Sequence, residues 1–183
     1  DYKSDYLDEL ISAVVMEDFR VAEKIAENIL TIDSDNQEAK LVLMSSAYNN
    51  NRLNNLNSFR LDSSNKKNEL LEFLFYQNDK VKSKSGVSNT FLEIVRSSYS
   101  NRDANNFQNY NFLLFYTSLS ILINSENFEA VFIKGQLLQL INDFVFAETT
   151  YLRIPEYSQF FIDAQRNIAF NYSRQSVFTD AEE

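Results

Sequence analysis

One proline and two glycines are all the turn-forming punctuation that this chain of 183 residues contains: Pro155, Gly86 and Gly135. Tight β-turns depend on these residue types, so a sheet protein with many hairpins is excluded. Apolar residues instead recur three and four positions apart, as on one face of a helix, for example over 7–15 and 19–30. The pattern therefore predicts an all-α fold.

The composition also excludes most catalytic chemistry. The chain has no histidine and no cysteine, so it can form neither a Ser-His-Asp or Cys-His nucleophile system nor a zinc, haem or iron–sulfur site with those ligands. Two glycines cannot build a phosphate-binding loop. Glu23 and Glu27 share one helix face opposite its apolar stripe, which indicates a solvated surface. We predict no catalytic residue, no cofactor and no metal site, and hence no enzyme.

The negative charge of the chain limits the classes of partner that it can bind. The net charge is −9, and the first 39 residues hold eleven acidic and three basic side chains. Such an acidic chain repels a phosphate backbone, so nucleic acid is not expected as a partner. No stretch approaches the roughly 18 apolar residues of a membrane span, so no membrane insertion is expected. The abundance of Asn, Lys, Ile, Phe and Tyr suggests an AT-rich coding sequence, as in certain bacteria or in a protist with similar codon bias. The absence of cysteine does not decide the compartment, and the favoured one is the bacterial periplasm or cell envelope, with any anchor outside these residues.

Helix-length patterns near the C-terminus repeat with a step of 34 residues. The pairs that share this spacing are Phe144 with Phe178, Ala147 with Ala181, Ala130 with Ala164, Gly135 with Ala169, and Leu138 with Tyr172. A related pattern, Glu17-Asp18-Phe19-x2-Ala22-x3-Ala26, occurs near the N-terminus. A fixed step of this length is typical of a helical repeat protein.

These motifs resemble the tetratricopeptide repeat family, whose 34-residue unit consists of two antiparallel helices. The small residues at the eighth and twentieth places of that unit correspond to Gly135, Ala169, Ala22, Ala147 and Ala181. The resemblance covers residues 3–36 and 128–183 and is poor between 49 and 110. An irregular helical bundle, which shares the physics of the helix hairpin, is the alternative.

The resemblance implies one domain over residues 1–183, in which antiparallel helix hairpins stack as an α-solenoid with a degenerate middle. Small residues let two helices approach closely, and stacked neighbours supply the core that one hairpin lacks. The approximate units are 3–36, 37–76, 89–127, 128–161 and 162–183. Between the second and third units, residues 77–88 are predicted to form an exposed loop, because lysines alternate with serines there before Gly86.

The resemblance also places candidate ligand-facing residues on the first helix of each unit. From these places we select Tyr48, Asn49, Phe132, Gln136, Gln139, Arg166, Phe170 and Arg174. Aromatic anchors beside amide donors are typical of a peptide-binding surface. The family's carboxylate clamp of Lys and Asn is missing, because Gln136 and Phe170 stand at its ninth place. In the alternative, Phe132 and Phe170 pack against a neighbouring helix.

The favoured function is a non-enzymatic scaffold that binds a partner protein or peptide in a helical-repeat groove. The alternatives are a structural subunit or spacer of a larger assembly, such as one in the cell envelope, and an all-α binder of small ligands. The last unit stops two residues after Ala181, which leaves half a hairpin uncovered. We therefore expect the natural chain to continue beyond Glu183 or its end to self-associate.

Overall fold

Eight helices make up most of the computed structural model, which describes residues 2–52, 74–77, 80–100 and 108–181. They are α1 (Tyr2–Val15), α2 (Phe19–Ile32), α3 (Gln37–Asn49), α4 (Lys84–Ser100), α5 (Gln108–Ile123), α6 (Phe128–Leu140), α7 (Phe144–Tyr151) and α8 (Phe161–Ala181). A short antiparallel hairpin pairs β1 (Tyr76–Gln77) with β2 (Lys80–Val81). The predicted all-α class is confirmed for this part of the chain. Much of the predicted unit 37–76 lies outside the described residues.

Three of the helices end in turns of the same geometry. The turns after α1, α3 and α6 contain Glu17, Asn51 and Asn142, with left-handed φ angles of 60°, 55° and 64°. In each turn the next backbone N–H donates to the carbonyl five residues earlier, over 2.8–2.9 Å. This is the hydrogen bond of a Schellman motif, which satisfies a carbonyl at the helix end. Glu17 and Asn51 lie 34 residues apart, the same spacing as the repeated pairs near the C-terminus. Asn51 lies in the segment 49–110, where the resemblance to the repeat family is poor.

Four helices, α2, α3, α6 and α7, begin after a residue whose side chain caps the helix start. The side-chain oxygens of Asp18, Asn36, Asn127 and Asp143 each accept a hydrogen bond from the backbone N–H three residues later, over 2.9–3.3 Å. An acceptor at this position satisfies one of the N–H groups that lack a partner within the helix. The turns 17–19 and 142–144, equated from the sequence, therefore share a left-handed residue, an aspartate cap and a first helical phenylalanine.

Helix α5 joins the two halves of the core. Helices that follow one another pack together from α1 to α3 and from α4 to α8, and α5 also packs against α1 and α3. One buried cluster is built mainly from α1, α2 and α3 with Leu74 and Phe75, and a second is built from α4 to α8. Tyr116 on α5 contacts both clusters. The core therefore contains contacts between successive helices and, in addition, contacts of α5 with α1 and α3, which are far from it in the sequence.

The exposed loop predicted over residues 77–88 is wrong in its second part. Helix α4 has already begun there, and Val87 and Ser88 are buried. The first part forms the β1–β2 hairpin, apart from two residues between the strands that lie outside the described residues. The hydroxyl of Ser83 accepts a hydrogen bond from the N–H of Gly86 at 3.1 Å. The serine therefore caps a helix start, a role that composition alone does not distinguish from a loop.

A buried lysine on α6 connects this helix to the end of α1. The side chain of Lys134 on α6 has no exposed surface. Its ammonium donates to the carbonyl of Val15, the last residue of α1, at 2.8 Å and to the carboxylate of Glu17 at 2.7 Å. The same ammonium lies 5.2 Å from the ring centroid of Phe146 on α7. Arg153 binds the same carboxylate oxygen at 2.6 Å, so three elements meet at one charge cluster.

The environment shifts the pKa values of both Glu17 and Lys134. Burial alone raises the pKa of Glu17, but the charges of and hydrogen bonds from Lys134 and Arg153 outweigh it and hold the pKa below the ordinary 4.5. Burial lowers the pKa of Lys134, and the Glu17 carboxylate offsets this only in part. The ion pair is therefore maintained at the expense of a large desolvation of the lysine.

A tyrosine ring packs directly against Gly135, the small residue at the eighth place of the predicted unit 128–161. A methyl group added to Gly135 on α6 would lie 2.4 Å from Cε1 of Tyr151 on α7. Tyr151 is fully buried, and so is Ala147 one turn earlier on the same helix. The close approach of α6 and α7 therefore depends on the two small residues that the repeat pattern identified.

We expect Gly135→Ala to lower the free energy of unfolding by about 1–3 kcal/mol, because the buried ring of Tyr151 cannot move away from the new methyl group. Ala147→Leu is expected to cost a similar amount by overpacking. Urea unfolding followed by circular dichroism measures both changes. The control is Gly86→Ala, whose methyl group would lie 3.2 Å from the Ser83 hydroxyl and 3.9 Å from Cβ of Lys82, and which should cost much less than Gly135→Ala because neither contact is as close as that with Tyr151. A Gly135→Ala protein as stable as the parent would contradict the packing described here.

We expect Glu17→Gln to destabilise the fold by about 3 kcal/mol at neutral pH, because it leaves the Lys134 charge buried without its counter-ion. The pH dependence gives an independent readout. Since the folded pKa of Glu17 lies below its unfolded value, the carboxylate stabilises the fold above about pH 4.5, and this stabilisation is lost as pH falls through the folded pKa. Urea unfolding at several pH values should show this loss in the parent and a smaller one in Glu17→Gln. Identical pH profiles for the two proteins would refute the assignment.

Candidate functional site

A cleft between α6, the start of α7 and α8 brings together four of the predicted partner-binding residues. We call it the amide cleft, and it is lined by Gln136, Gln139, Leu140, Phe144, Asn167, Phe170 and Arg174. Its empty volume is about 580 Å³, including the solvent-open space at its mouth. Gln136, Gln139, Phe170 and Arg174 are among the residues selected from the sequence, and Leu140 also occupies a ligand-facing place of the repeat, whereas Phe144 and Asn167 were not predicted.

A hydrogen-bonded network fixes the floor of the amide cleft. The hydroxyl of Tyr151 donates to Oε1 of Gln139 at 2.6 Å and accepts from Nδ2 of Asn167 at 3.0 Å. Nε2 of Gln139 donates to Oδ1 of Asn171 at 2.6 Å. These bonds hold the two amides at the cleft surface in defined orientations, because each is tied to a buried partner.

One donor of this network has no partner among the described residues. Asn171 on α8 is fully buried, and its Nδ2 makes no hydrogen bond there. Its other amide atom is bonded to Gln139, which lines the cleft. A buried donor without an acceptor is costly, so Asn171 is held in place by its bond to Gln139 at an energetic cost to the fold. No sequence signal pointed to this residue, which reads simply as part of an Asn-x-Ser sequon.

The rim of the cleft combines the guanidinium of Arg174 with exposed aromatic surface. The guanidinium of Arg174 lies 5.2 Å from the ring centroid of Phe170 and 5.9 Å from that of Phe144. Arg174 is exposed, and it makes no ion pair with any described residue. Phe170 is 55% exposed. The two rings orient the guanidinium by cation–π contacts while its N–H groups stay available to a carboxylate.

The other four predicted residues have different surroundings. Tyr48 is buried and donates its hydroxyl to the carbonyl of Lys82, and burial raises the pKa of Tyr48. Asn49 accepts hydrogen bonds from the ammonium of Lys84 at 3.1 and 3.2 Å, through its backbone and side-chain oxygens. The structure thus gives both residues contacts within the fold and does not bring them to the amide cleft.

Phe132 and Arg166 also lie outside the cleft lining. Phe132 is half-buried, and its ring stacks on Phe160 with centroids 5.5 Å apart and an interplanar angle of 22°. This is the packing role that the sequence left open for it. Arg166 forms an exposed ion pair with Asp163 at 2.9 Å, one turn away on α8. Of the two phenylalanines for which packing was the alternative, only Phe170 keeps a mostly open ring.

Two further observations on the described ranges concern membranes and metal ions. No helix within them is long and apolar enough to cross a membrane. Nor do these ranges bring three acidic, histidine or cysteine side chains together as metal ligands. Of the two carboxylates considered for catalysis, Glu27 is exposed and Glu23 accepts a hydrogen bond from the Ser46 hydroxyl.

Comparison with known proteins returns no relative: no family model, no curated protein and no solved structure matches the chain. The amide cleft is the feature of the described residues whose chemistry bears on function. That chemistry consists of amide groups held by a buried tyrosine, an exposed aromatic ring and an oriented guanidinium.

We expect Tyr151→Phe to lower the free energy of unfolding by about 1–3 kcal/mol, because it removes the partner of both Gln139 and Asn167. Thermal unfolding by calorimetry measures the change. Tyr172→Phe is the matched control: this tyrosine is exposed, and among the described residues its hydroxyl bonds only Glu148, so its loss should have little effect. Equal effects of the two substitutions would contradict a structural role for the network.

Proposed function

We propose that this chain is a non-enzymatic helical-repeat scaffold of the tetratricopeptide type, which binds an extended segment of a partner protein in the amide cleft. The observation that carries the proposal is the exposed guanidinium of Arg174, oriented between two phenylalanine rings beside fixed amides. Such a surface offers charge, apolar contact and hydrogen-bond donors within one cleft, which are the elements of a peptide-binding hot spot.

The repeat part of the proposal is supported by local geometry. The turns at Glu17, Asn51 and Asn142 share one backbone conformation, and the first two are separated by one 34-residue step. The contact between Gly135 and Tyr151 is the close helix approach that the repeat pattern requires. We propose that the units stack in sequence, with α5 providing an additional contact between the first units and the later ones.

The cleft defines the chemistry of the partner segment. Arg174 favours a carboxylate, because its guanidinium can form two parallel hydrogen bonds to one. Phe170 favours an apolar side chain next to that carboxylate. The amides of Gln136 and Asn167 can bond a peptide backbone, which presents donors and acceptors alternately. The partner segment is therefore expected to carry an aspartate or glutamate beside a bulky apolar residue.

A displayed library of random peptides tests the proposal, because it offers every combination of side chains to the cleft at once. Peptides enriched on the parent protein should combine an acidic and a bulky apolar residue. Fluorescence polarisation should show that Arg174→Ala weakens their binding about tenfold or more, because a charge-assisted hydrogen bond is lost. Phe170→Ser should weaken it as well, through the loss of apolar contact.

Arg166→Ala is the matched control, because Arg166 lies on the same helix but pairs with Asp163 outside the cleft. It should bind the enriched peptides like the parent. The proposal fails if no peptide is enriched, or if the enriched peptides bind the Arg174 and Phe170 variants as tightly as the parent. Circular dichroism of each variant ensures that the comparison is made between folded proteins.

A further inference from the structure

A second groove shares no lining residue with the amide cleft. It lies where the first turns of α4 and α6, the turn between α5 and α6, and the segment between α7 and α8 meet. We call it the tyrosine groove after Tyr157, and the residues used below are Asn89, Asn124, Glu126, Phe128 and Gln159. Its empty volume is about 950 Å³, and it is widely open to solvent.

The groove contains an aromatic platform that the fold leaves uncovered. Tyr157 is 81% exposed, the highest value among the large apolar and aromatic side chains of the described residues. Its ring is nevertheless oriented, because Phe128 meets it edge-on with centroids 5.9 Å apart and an interplanar angle of 75°. The segment that carries it is anchored by the stacking of Phe160 on Phe132 and by a 2.9 Å hydrogen bond from the N–H of Ser158 to Pro155.

Neutral hydrogen-bonding groups surround this platform. The side-chain oxygens of Asn89 and Asn124 accept hydrogen bonds from Nδ2 of Asn127 and from the backbone N–H of Glu126, each at 3.2 Å. These bonds fix the two amides, whose nitrogens have no acceptor among the described residues. The side-chain amide of Gln159 likewise has no hydrogen-bond partner there. The groove therefore offers several oriented donors and acceptors that the fold does not use.

The charges of the groove limit the ligand further. None of the described residues that line it is basic, so it provides no counter-ion for a phosphate or a sulfate. Of its two carboxylates, Glu129 accepts a hydrogen bond from Nε of Arg96 at 3.1 Å. Glu126 remains as an acceptor without a cation among the described residues. The ligand that matches this lining is uncharged and carries many hydroxyl groups next to an apolar face.

We propose that the tyrosine groove binds a neutral oligosaccharide. The C–H groups on one face of a pyranose ring carry partial positive charge, and the face of the Tyr157 ring carries the complementary negative quadrupole. Hydroxyl groups at the edge of the sugar both donate and accept, so they can bond the amides of Asn89, Asn124 and Gln159 and the carboxylate of Glu126. The open groove admits the interior of an extended glycan chain as well as its end.

Saturation-transfer difference NMR on the complete chain tests this inference with a defined panel of probes. The panel contains neutral gluco-, xylo-, manno- and N-acetylchito-oligosaccharides, an anionic oligogalacturonate and a lysine-rich peptide. At least one neutral oligosaccharide should receive saturation at its pyranose C–H protons at millimolar concentration. Titration calorimetry should then show that Tyr157→Ala weakens its binding about tenfold.

Tyr157→Phe is the matched control, because it keeps the ring and removes only the hydroxyl, and it should retain binding. Arg174→Ala, in the amide cleft, should also leave sugar binding unchanged, which separates this test from that of the proposed function. Because Tyr157 is so exposed, its substitution should not alter the melting temperature. The inference is overturned if no neutral sugar binds, if sugar binding is unaffected by Tyr157→Ala, or if only the cationic peptide binds at Tyr157.

Discussion

The burial of the Lys134 ammonium is the interaction on which the arrangement of the described helices depends. A desolvated charge is tolerated only when all its donors find partners. Here a helix-end carbonyl, a carboxylate and an aromatic face supply them, from the end of α1, the turn after it, and α7. None of these partners is on α6 itself. The lysine is therefore satisfied only when segments more than a hundred residues apart have assembled.

The same helix positions the amide cleft. One residue after the lysine, Gly135 admits the ring of Tyr151, and one turn later Gln139 receives the hydroxyl of that ring. The contacts of α6 with α1 and α7 therefore determine where the amide of Gln139 lies relative to α8. A rearrangement of the core around Lys134 would be transmitted to the cleft, because close-packed interiors deform in discrete steps and not continuously.

Local features of this structure could be predicted from the sequence, and long-range ones could not. The helical class follows from periodicity, and the role of Gly135 follows from its place in the repeat, because both depend on residues nearby in the chain. The residues selected by repeat position include Gln136 on α6 and Arg174 on α8, which line one cleft in the structure. Repeat position does not reveal which distant residue a side chain contacts: the hydroxyl of the buried Tyr48 bonds the carbonyl of Lys82, 34 positions away. The Lys134 pair, which spans 117 residues, has no local signature at all.

The left-handed backbone at Glu17 has a consequence for how the sequence can diverge. Glycine is the residue that fits this conformation without strain, yet glycine would remove the carboxylate that Lys134 requires. Backbone preference and charge therefore select for different residues at one position. Replacing Glu17 by glycine first would leave the Lys134 charge buried without its carboxylate, so selection would remove this change. The glycine is tolerated only after an apolar residue has replaced Lys134. Homologues of this chain should accordingly show the two positions changing together, with the lysine lost first.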